Sequence, residues 1–485
     1  MADIKTIIQT GALFIGPGLA GAIWILPPPE SLPQPGMAVS AIAIWMVVWW
    51  MTEAVPLAVT ALLPVVLFPA LGVAPINDTA SDYANPLIFL ILGGFLMAQA
   101  IQRWGLSRRI AFWILSLAGE HPAGVVAAIM VATAFLSMWV SNTATAIMML
   151  PIGQSIVHAT TNNRNDYDQR QVRGFCTALM LGIAYGATIG GMGTLIGTPP
   201  NALFAGFMAD TYGIEISFYR WMLIGVPIVA VLLPIAWIVL TRVSFVLPHQ
   251  IVGLSKIVQS KSPEHSARIS ADEKRVALLV LIAAFAWISR PLINDLLPWL
   301  TISDAAIAIV IAILLFIVPS QSEPGRTLLS WDDAQKIRWD VLILFGGGLA
   351  LANAITSTGL AAWLGTGSSL FAALPWVVVV VIIIAVVVFL GELASNTAIA
   401  AVFLPIVGTA AIELGISHIL LSTTVALAAS LGFMLPVATP PNAIVYGSGT
   451  IRMAEMIRAG ALLDVIAIFV AGLLLASIGH WSFYF

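Results

Sequence analysis

This sequence predicts an all-α polytopic membrane protein with about 11 transmembrane helices, two re-entrant helical hairpins and an inverted internal repeat. Three observations predict it. Hydrophobic residues make up 60% of the 485 and charged residues only 9%, against about 45–50% and about 25% in soluble domains. The apolar runs are long and continuous, as at 302–318 and 377–390, where the strands of a membrane barrel would alternate every second residue over about ten. Within those runs Ser141-Asn142-Thr143 recurs as Ser395-Asn396-Thr397, and Thr198-Pro199-Pro200-Asn201 recurs as Thr439-Pro440-Pro441-Asn442.

In chain order, hydrophobic segments fall near 7–26, 37–51, 55–71, 86–101, 110–119, 123–158, 174–208, 221–245, 275–290, 302–318, 341–373, 375–412, 417–449 and 457–479. The first is a span, because it is long for a signal-peptide core and lacks a small-residue cleavage site. The hydrophilic connections are 159–173, 246–274 and 319–340. The middle one carries Lys256, Lys261, Arg268 and Lys274, with Arg275 just after it. The positive-inside tendency therefore puts it in the cytoplasm, with Arg103, Arg108, Arg109, Arg164, Arg170 and Arg173 on the same side.

Several functions are excluded at once. A net charge of -3 gives no basic field for nucleic acid. The single cysteine, Cys176, forms no internal disulfide. The six histidines form no metal-ligating pair such as His-Glu-x-x-His, which argues against an intramembrane hydrolase, and no enzyme is expected. A coupled transporter is the expectation, ahead of a channel, and within transporters the exchange of anions without sodium is the closer rival.

The repeat has a register. Gly93-Gly94, Gly105-Leu106 and Ser141-Asn142-Thr143 match Gly347-Gly348, Gly359-Leu360 and Ser395-Asn396-Thr397 at one spacing of 254. Between 136–152 and 390–406, nine of seventeen positions are identical. The Thr-Pro-Pro-Asn copies lie 241 apart, because the first half spends thirteen more residues on the connection around 159–173. Seven spans separate equivalent points, and an odd number predicts inverted halves.

Each Ser-Asn-Thr stands between apolar helices of about fifteen residues, too short to span, so each is drawn as a hairpin with its tip at mid-membrane. Ser141 or Asn142 is expected to cap the helix that starts near Thr143. Thr198 and Thr439 are expected to cap helices whose first positions are prolines, where a missing N–H costs nothing. Four helix N-termini then converge, each with free N–H groups and about half a positive charge, which makes an anion site. No Lys or Arg lies within 135–152, 186–208, 388–406 or 430–448. A dianion there needs other neutralisation, and unwound carbonyls with Asn and Ser oxygens suit sodium beside each tip. Two opposed Asn-Thr pairs can clamp a carboxylate at each end, which favours succinate, malate or fumarate over compact sulfate.

Thr52-Glu53-Ala54-Val55-Pro56 after a Trp pair, Gly93-Gly94-Phe95, both Ser-Asn-Thr motifs, both Thr-Pro-Pro-Asn motifs and 430–445 together resemble the divalent anion/sodium symporters over nearly the whole chain. That family includes sodium-coupled dicarboxylate, citrate and sulfate transporters. The resemblance implies a homodimer in the cytoplasmic membrane, with scaffold and transport domains working as an elevator. On this division 1–119 and 275–373 are scaffold helices, 120–245 and 374–485 are transport-domain elements, and 246–274 is the cytoplasmic connection. The resemblance further implies substrate carboxylates held by Asn142, Thr143, Asn396 and Thr397, with Ser141, Thr198, Pro199, Ser395, Thr439 and Pro440 completing the site. One sodium site maps to Ser137, Ser141, Asn142 and Gly197, and the other to Gly391, Ala394, Asn396 and Ala438. A hydroxyl residue can occur at position 391 in relatives, so Gly391 leaves the second site one side-chain oxygen short. Glu392, whose repeat mate is the apolar Met138, reads either as a proton or cation group or as a capped or paired carboxylate near the domain interface.

Overall fold

A computed structural model describes residues 2–162, 168–251, 269–366 apart from 298 and 300, and 371–479 apart from 372. Lys256, Lys261, Arg268 and Arg164 lie outside the described residues. Among those described, the chain is helical without a named strand, and one isolated bridge joins Pro319 to Thr327. Among the described residues nine helices are long and apolar enough to cross a membrane, and five shorter apolar helices accompany them. The expectation of about eleven spans divides in this way because several apolar stretches are interrupted. The stretch 341–373, for instance, contains helices Trp339–Ser357 and Leu360–Thr366, parted at Gly359, whose φ of +77° ends the first.

Helix Gln169–Gly191 is the spine of the molecule, with 94% of its apolar window buried. Helices Pro122–Ser137 and Asn142–Asn162 pack against it, as does Pro440–Gly447 from the second half. The first helix of each pair around a Ser-Asn-Thr has 16 residues, near the expected fifteen. The second runs longer, 21 residues for Asn142–Asn162 and 18 for Asn396–Glu413. Near the ends of these helices Thr160 and Thr409 each turn the hydroxyl to a carbonyl four residues back, which hides it within the helix.

Ion pairs fix one end of the bundle. Arg103 binds Glu323 at 2.8 Å and also Asp333, Arg109 binds Glu273 at 3.0 Å, and Arg275 donates to the carbonyl of Pro319. Arg103 and Arg275 thus gather at the connection 319–340. Lys274 is not a loop residue: helix Ala271–Leu296 begins earlier than the hydropathy pattern because Ser270 and Glu273 form a capping box. At the other end of helix Pro86–Arg103, Asn85 donates to Asp210, and Asn353 donates to Asp82 at 2.7 Å.

Candidate functional site

The two halves each break a long helix at the same kind of sequence. Gln169–Gly191 ends in a run of small residues, and the chain unwinds before Pro199–Tyr212; His418–Ala428 unwinds in the same manner before Pro440–Gly447. Thr198 (φ -139°, ψ 142°) and Thr439 (φ -137°, ψ 147°) adopt the same extended turn into a helix that opens with two prolines. Thr439 caps as expected, its Oγ1 accepting from Asn442 N at 3.3 Å. Thr198 stands at the N-cap without a side-chain cap bond, which corrects the expectation for the first half. The helix after the first tip starts at Asn142, and Ser141 Oγ accepts from Ala144 N at 3.4 Å. Ser395 occupies the N-cap of Asn396–Glu413 with no side-chain cap bond.

All ten residues expected to hold substrate line one cavity of about 430 Å³: Ser141, Asn142 and Thr143, Thr198 and Pro199, Ser395, Asn396 and Thr397, Thr439 and Pro440. That volume lies within the range of small-molecule sites. Gly197 and Ala438 line it too, whereas Ser137, Gly391 and Ala394 are buried behind its wall. Its charged lining, Glu53, Arg338 and Asp340, was not among the expected residues, because only tertiary packing brings them to the Ser-Asn-Thr tips.

Oxygen atoms collect behind the first tip. One end of the Asn142 side-chain amide lies 2.7 Å from Ser137 Oγ, 3.1 Å from the Gly197 carbonyl and 3.2 Å from the Ala187 carbonyl. With nitrogen at that end the group is a hydrogen-bond donor to three oxygens. With oxygen there, four oxygens converge on one point, an arrangement that calls for a hard cation. In the second half Asn396 Oδ1 is buried without a hydrogen-bond donor, as a cation ligand would be. Of the expected first set, Ser137, Asn142 and Gly197 come together here, joined by the Ala187 carbonyl that no motif signalled, while Ser141 Oγ accepts from Ala144 N instead.

Three further side chains shape the unwound segments. Asn201 donates to the carbonyls of Gly191, Met192 and Thr194, and Asn442 donates to those of Gly432 and Leu435. Glu392, 1% exposed, accepts from the backbone N–H groups of Met434 (2.9 Å) and Leu435 (2.7 Å). Asp464 accepts from Phe433 N at 3.1 Å. Met138, the repeat mate of Glu392, offers only its carbonyl, which takes the Thr194 hydroxyl.

A broken-helix pair that brings neutral donors, helix N-termini and carbonyls to one cavity is the apparatus of a transport site. The model of the sodium:sulfate symporter transmembrane region matches residues 12–485. The chain belongs to that family. Membership in this symporter family makes it a multi-pass membrane transporter and not an enzyme, as the motifs implied. It is 40% identical over 470 residues to the sodium-dependent dicarboxylate transporter SdcS of Staphylococcus saprophyticus, covering 95% of this chain and 90% of the relative. It is also 40% identical over 467 residues to SdcS of Staphylococcus aureus, covering 95% and 89%. Two solved structures share the fold at low identity. The YdaH transporter of Alcanivorax borkumensis gives a TM-score of 0.60 at 13% identity over 93% of this chain and 99% of that one. MtrF of Neisseria gonorrhoeae gives 0.56 at 12% identity over 92% and 95%.

Proposed function

We propose that this protein is a secondary active symporter that carries C4-dicarboxylates such as succinate, malate and fumarate into the cell with sodium. One observation carries the reading: both Ser-Asn-Thr tips and both Thr-Pro-Pro starts line a single cavity, so two Asn-Thr pairs face one dianion. The 40% identity to sodium-dependent dicarboxylate transporters supports it. Asn142, Thr143, Asn396 and Thr397 hold the carboxylates, with Ser141, Ser395, Thr198, Pro199, Thr439 and Pro440 around them. One sodium takes Ser137, Ser141, Asn142 and Gly197, and another takes the Gly391, Ala394, Asn396 and Ala438 set. Bound sodium offsets the several kcal/mol per charge that oppose moving a dianion through about 30 Å of hydrocarbon, so cation and anion bind cooperatively.

In this reading the helix pairs around 138–141 and 392–395 are re-entrant hairpins and the halves are inverted repeats. The elements in 120–245 and 374–485 move as a transport domain against scaffold helices in 1–119 and 275–373, in a homodimer of the cytoplasmic membrane. The end of the bundle with Arg103, Arg109 and Arg275 faces the cytoplasm by the positive-inside tendency.

Uptake of radiolabelled succinate into proteoliposomes tests the function. Accumulation driven by an inward sodium gradient, absent with potassium and lost in Asn142→Ala and Asn396→Ala, is the expected result. Uptake that needs internal dicarboxylate and ignores sodium makes the protein an exchanger. Uptake of citrate or sulfate in place of succinate reassigns the substrate.

A further inference from the structure

Arg338 is, among the described residues, the one cationic side chain that lines the cavity. Nothing in the motifs points to it, since it stands at the end of the connection 319–340, immediately before helix Trp339–Ser357. It also lines a smaller adjoining space with Gln99, Gln102 and Lys336, next to Ser141 and Thr143 of the first tip. It thus lies between the bulk phase and the substrate donors.

Its present partner is Asp340, which it meets with two nitrogens: Nε at 2.8 Å from Oδ1 and Nη2 at 2.7 Å from Oδ2. The pair is half exposed, 46% and 54%, so it holds together weakly in high dielectric. The two residues depend on each other unequally. Asp340 sits in the first turn of Trp339–Ser357, where free backbone N–H groups and the helix dipole favour a carboxylate with or without the arginine. Arg338 precedes that helix and has no such second support. A guanidinium held bidentately by one carboxylate is already shaped to receive another. Lys336 is engaged elsewhere, 3.3 Å from Asp333.

We infer that Arg338 captures a dianion that enters the cavity from the Arg103 end of the bundle, with Asp340 masking its charge until a substrate carboxylate takes Asp340's place. This rests on the dicarboxylate reading above. Because Arg338 stands two residues after Lys336, which meets the same Asp333 that Arg103 binds, it lies at the Arg103 end of the bundle and serves one membrane face only. The neutral donors at the Ser-Asn-Thr tips serve both.

Succinate kinetics in right-side-out and inside-out membrane vesicles, whose orientation is defined, test this. In inside-out vesicles Arg338→Gln raises KM about three-fold, the size of one partly exposed charge contact, with maximal rate and sodium half-saturation unchanged. Right-side-out vesicles show no shift. Arg338→Lys restores most of the wild-type KM, and Asp340→Asn lowers KM on the same face by unmasking the arginine. Added salt shrinks the difference between wild type and Arg338→Gln, because exposed charges are screened within about 8–10 Å. An Arg338→Gln protein with wild-type KM in inside-out vesicles, or with equal shifts on both faces, overturns the inference while leaving sodium-driven succinate transport intact. An Asp340→Asn protein with unchanged or raised KM overturns the masking role. A wild type without sodium-driven succinate uptake overturns the transport reading, and the inference with it.

Discussion

Asn201 and Asn442 do the same work in the two halves: each reaches back seven residues to a carbonyl of its unwound segment, Asn201 to Thr194 at 2.7 Å and Asn442 to Leu435 at 3.0 Å. Each also reaches back ten residues, to Gly191 and to Gly432. Both are fully buried. The asparagine that closes each Thr-Pro-Pro-Asn motif is thus a brace for the unwound loop, while the threonine and first proline before it line the cavity.

Removing the brace exposes its purpose. Asn201→Ala leaves buried carbonyls without a donor, at about 1–3 kcal/mol. Asn201→Asp is worse despite its shape, because it sets a negative charge against three carbonyl oxygens. Thermal unfolding with and without sodium distinguishes the two, and the Asp variant is expected to lose sodium protection altogether. Asn442→Asp behaves alike. Sodium protection that is unchanged in all three variants would mean that the braced segments hold no cation ligand in place.

Two glycines at the cation sets answer substitution in opposite ways. A Cβ added at Gly391 meets no atom within 4 Å, and the residue is helical, so Gly391→Thr is accommodated and supplies a hydroxyl to the second set. Sodium half-saturation for uptake is expected to fall. A Cβ added at Gly191 runs into the Asn142 side-chain amide, so Gly191→Ala displaces Asn142, the centre of the proposed first set, and is expected to abolish uptake. A Gly391→Thr protein with unchanged sodium dependence refutes the second set as drawn.

The cavity wall was legible in the sequence because both tips and both proline pairs are local patterns repeated in matching register. A tripeptide at one spacing of 254 with its flanking pairs states that two surfaces are equivalent before either is seen. The remainder depends on packing that no local pattern encodes. Arg338 reaches the cavity through the course of a polar connection, and the Ala187 carbonyl reaches Asn142 only because Gln169–Gly191 packs against the first helix pair. Thr198 and Thr439 share a backbone shape yet differ in capping, so the motif dictated the turn and the surroundings decided the hydrogen bond.

Asp333 predicts how stability depends on pH. Burial opposes its ionisation, but hydrogen bonds from Ser330, the charge of Arg103 and the contact with Lys336 outweigh burial and hold its carboxyl below the usual carboxylate range. A depressed folded-state value means that the stabilisation is complete above the unfolded-state pKa and is lost as pH falls through the folded-state one. Asp333→Asn therefore lowers the melting temperature at neutral pH, and the gap to wild type closes only in strong acid. The cost stays below the about 3–5 kcal/mol of a stranded buried charge, because Glu323 still holds Arg103 at 2.8 Å. A gap that persists unchanged at low pH contradicts the assignment.

Glu392 ties the second tip to the second unwound segment, since it directly follows Gly391 and accepts from Met434 and Leu435 N–H. A Cβ added at Gly432 would lie 3.5 Å from Glu392 Oε1 and 3.1 Å from Ala438 Cβ, which shows how closely that segment folds over the carboxylate. The carboxylate is therefore positioned to set the distance between the Gly391 and Ala438 ends of the second cation set. Gln at this position accepts with its one oxygen and turns its NH2 toward an N–H, so one of the two charge-assisted bonds, each worth about 1.5–3 kcal/mol, becomes a donor facing a donor. Glu392→Gln is expected to raise sodium half-saturation several-fold more than it raises succinate KM at saturating sodium. If the carboxylate served folding alone, surviving Glu392→Gln protein would show wild-type sodium dependence and only a lower melting temperature.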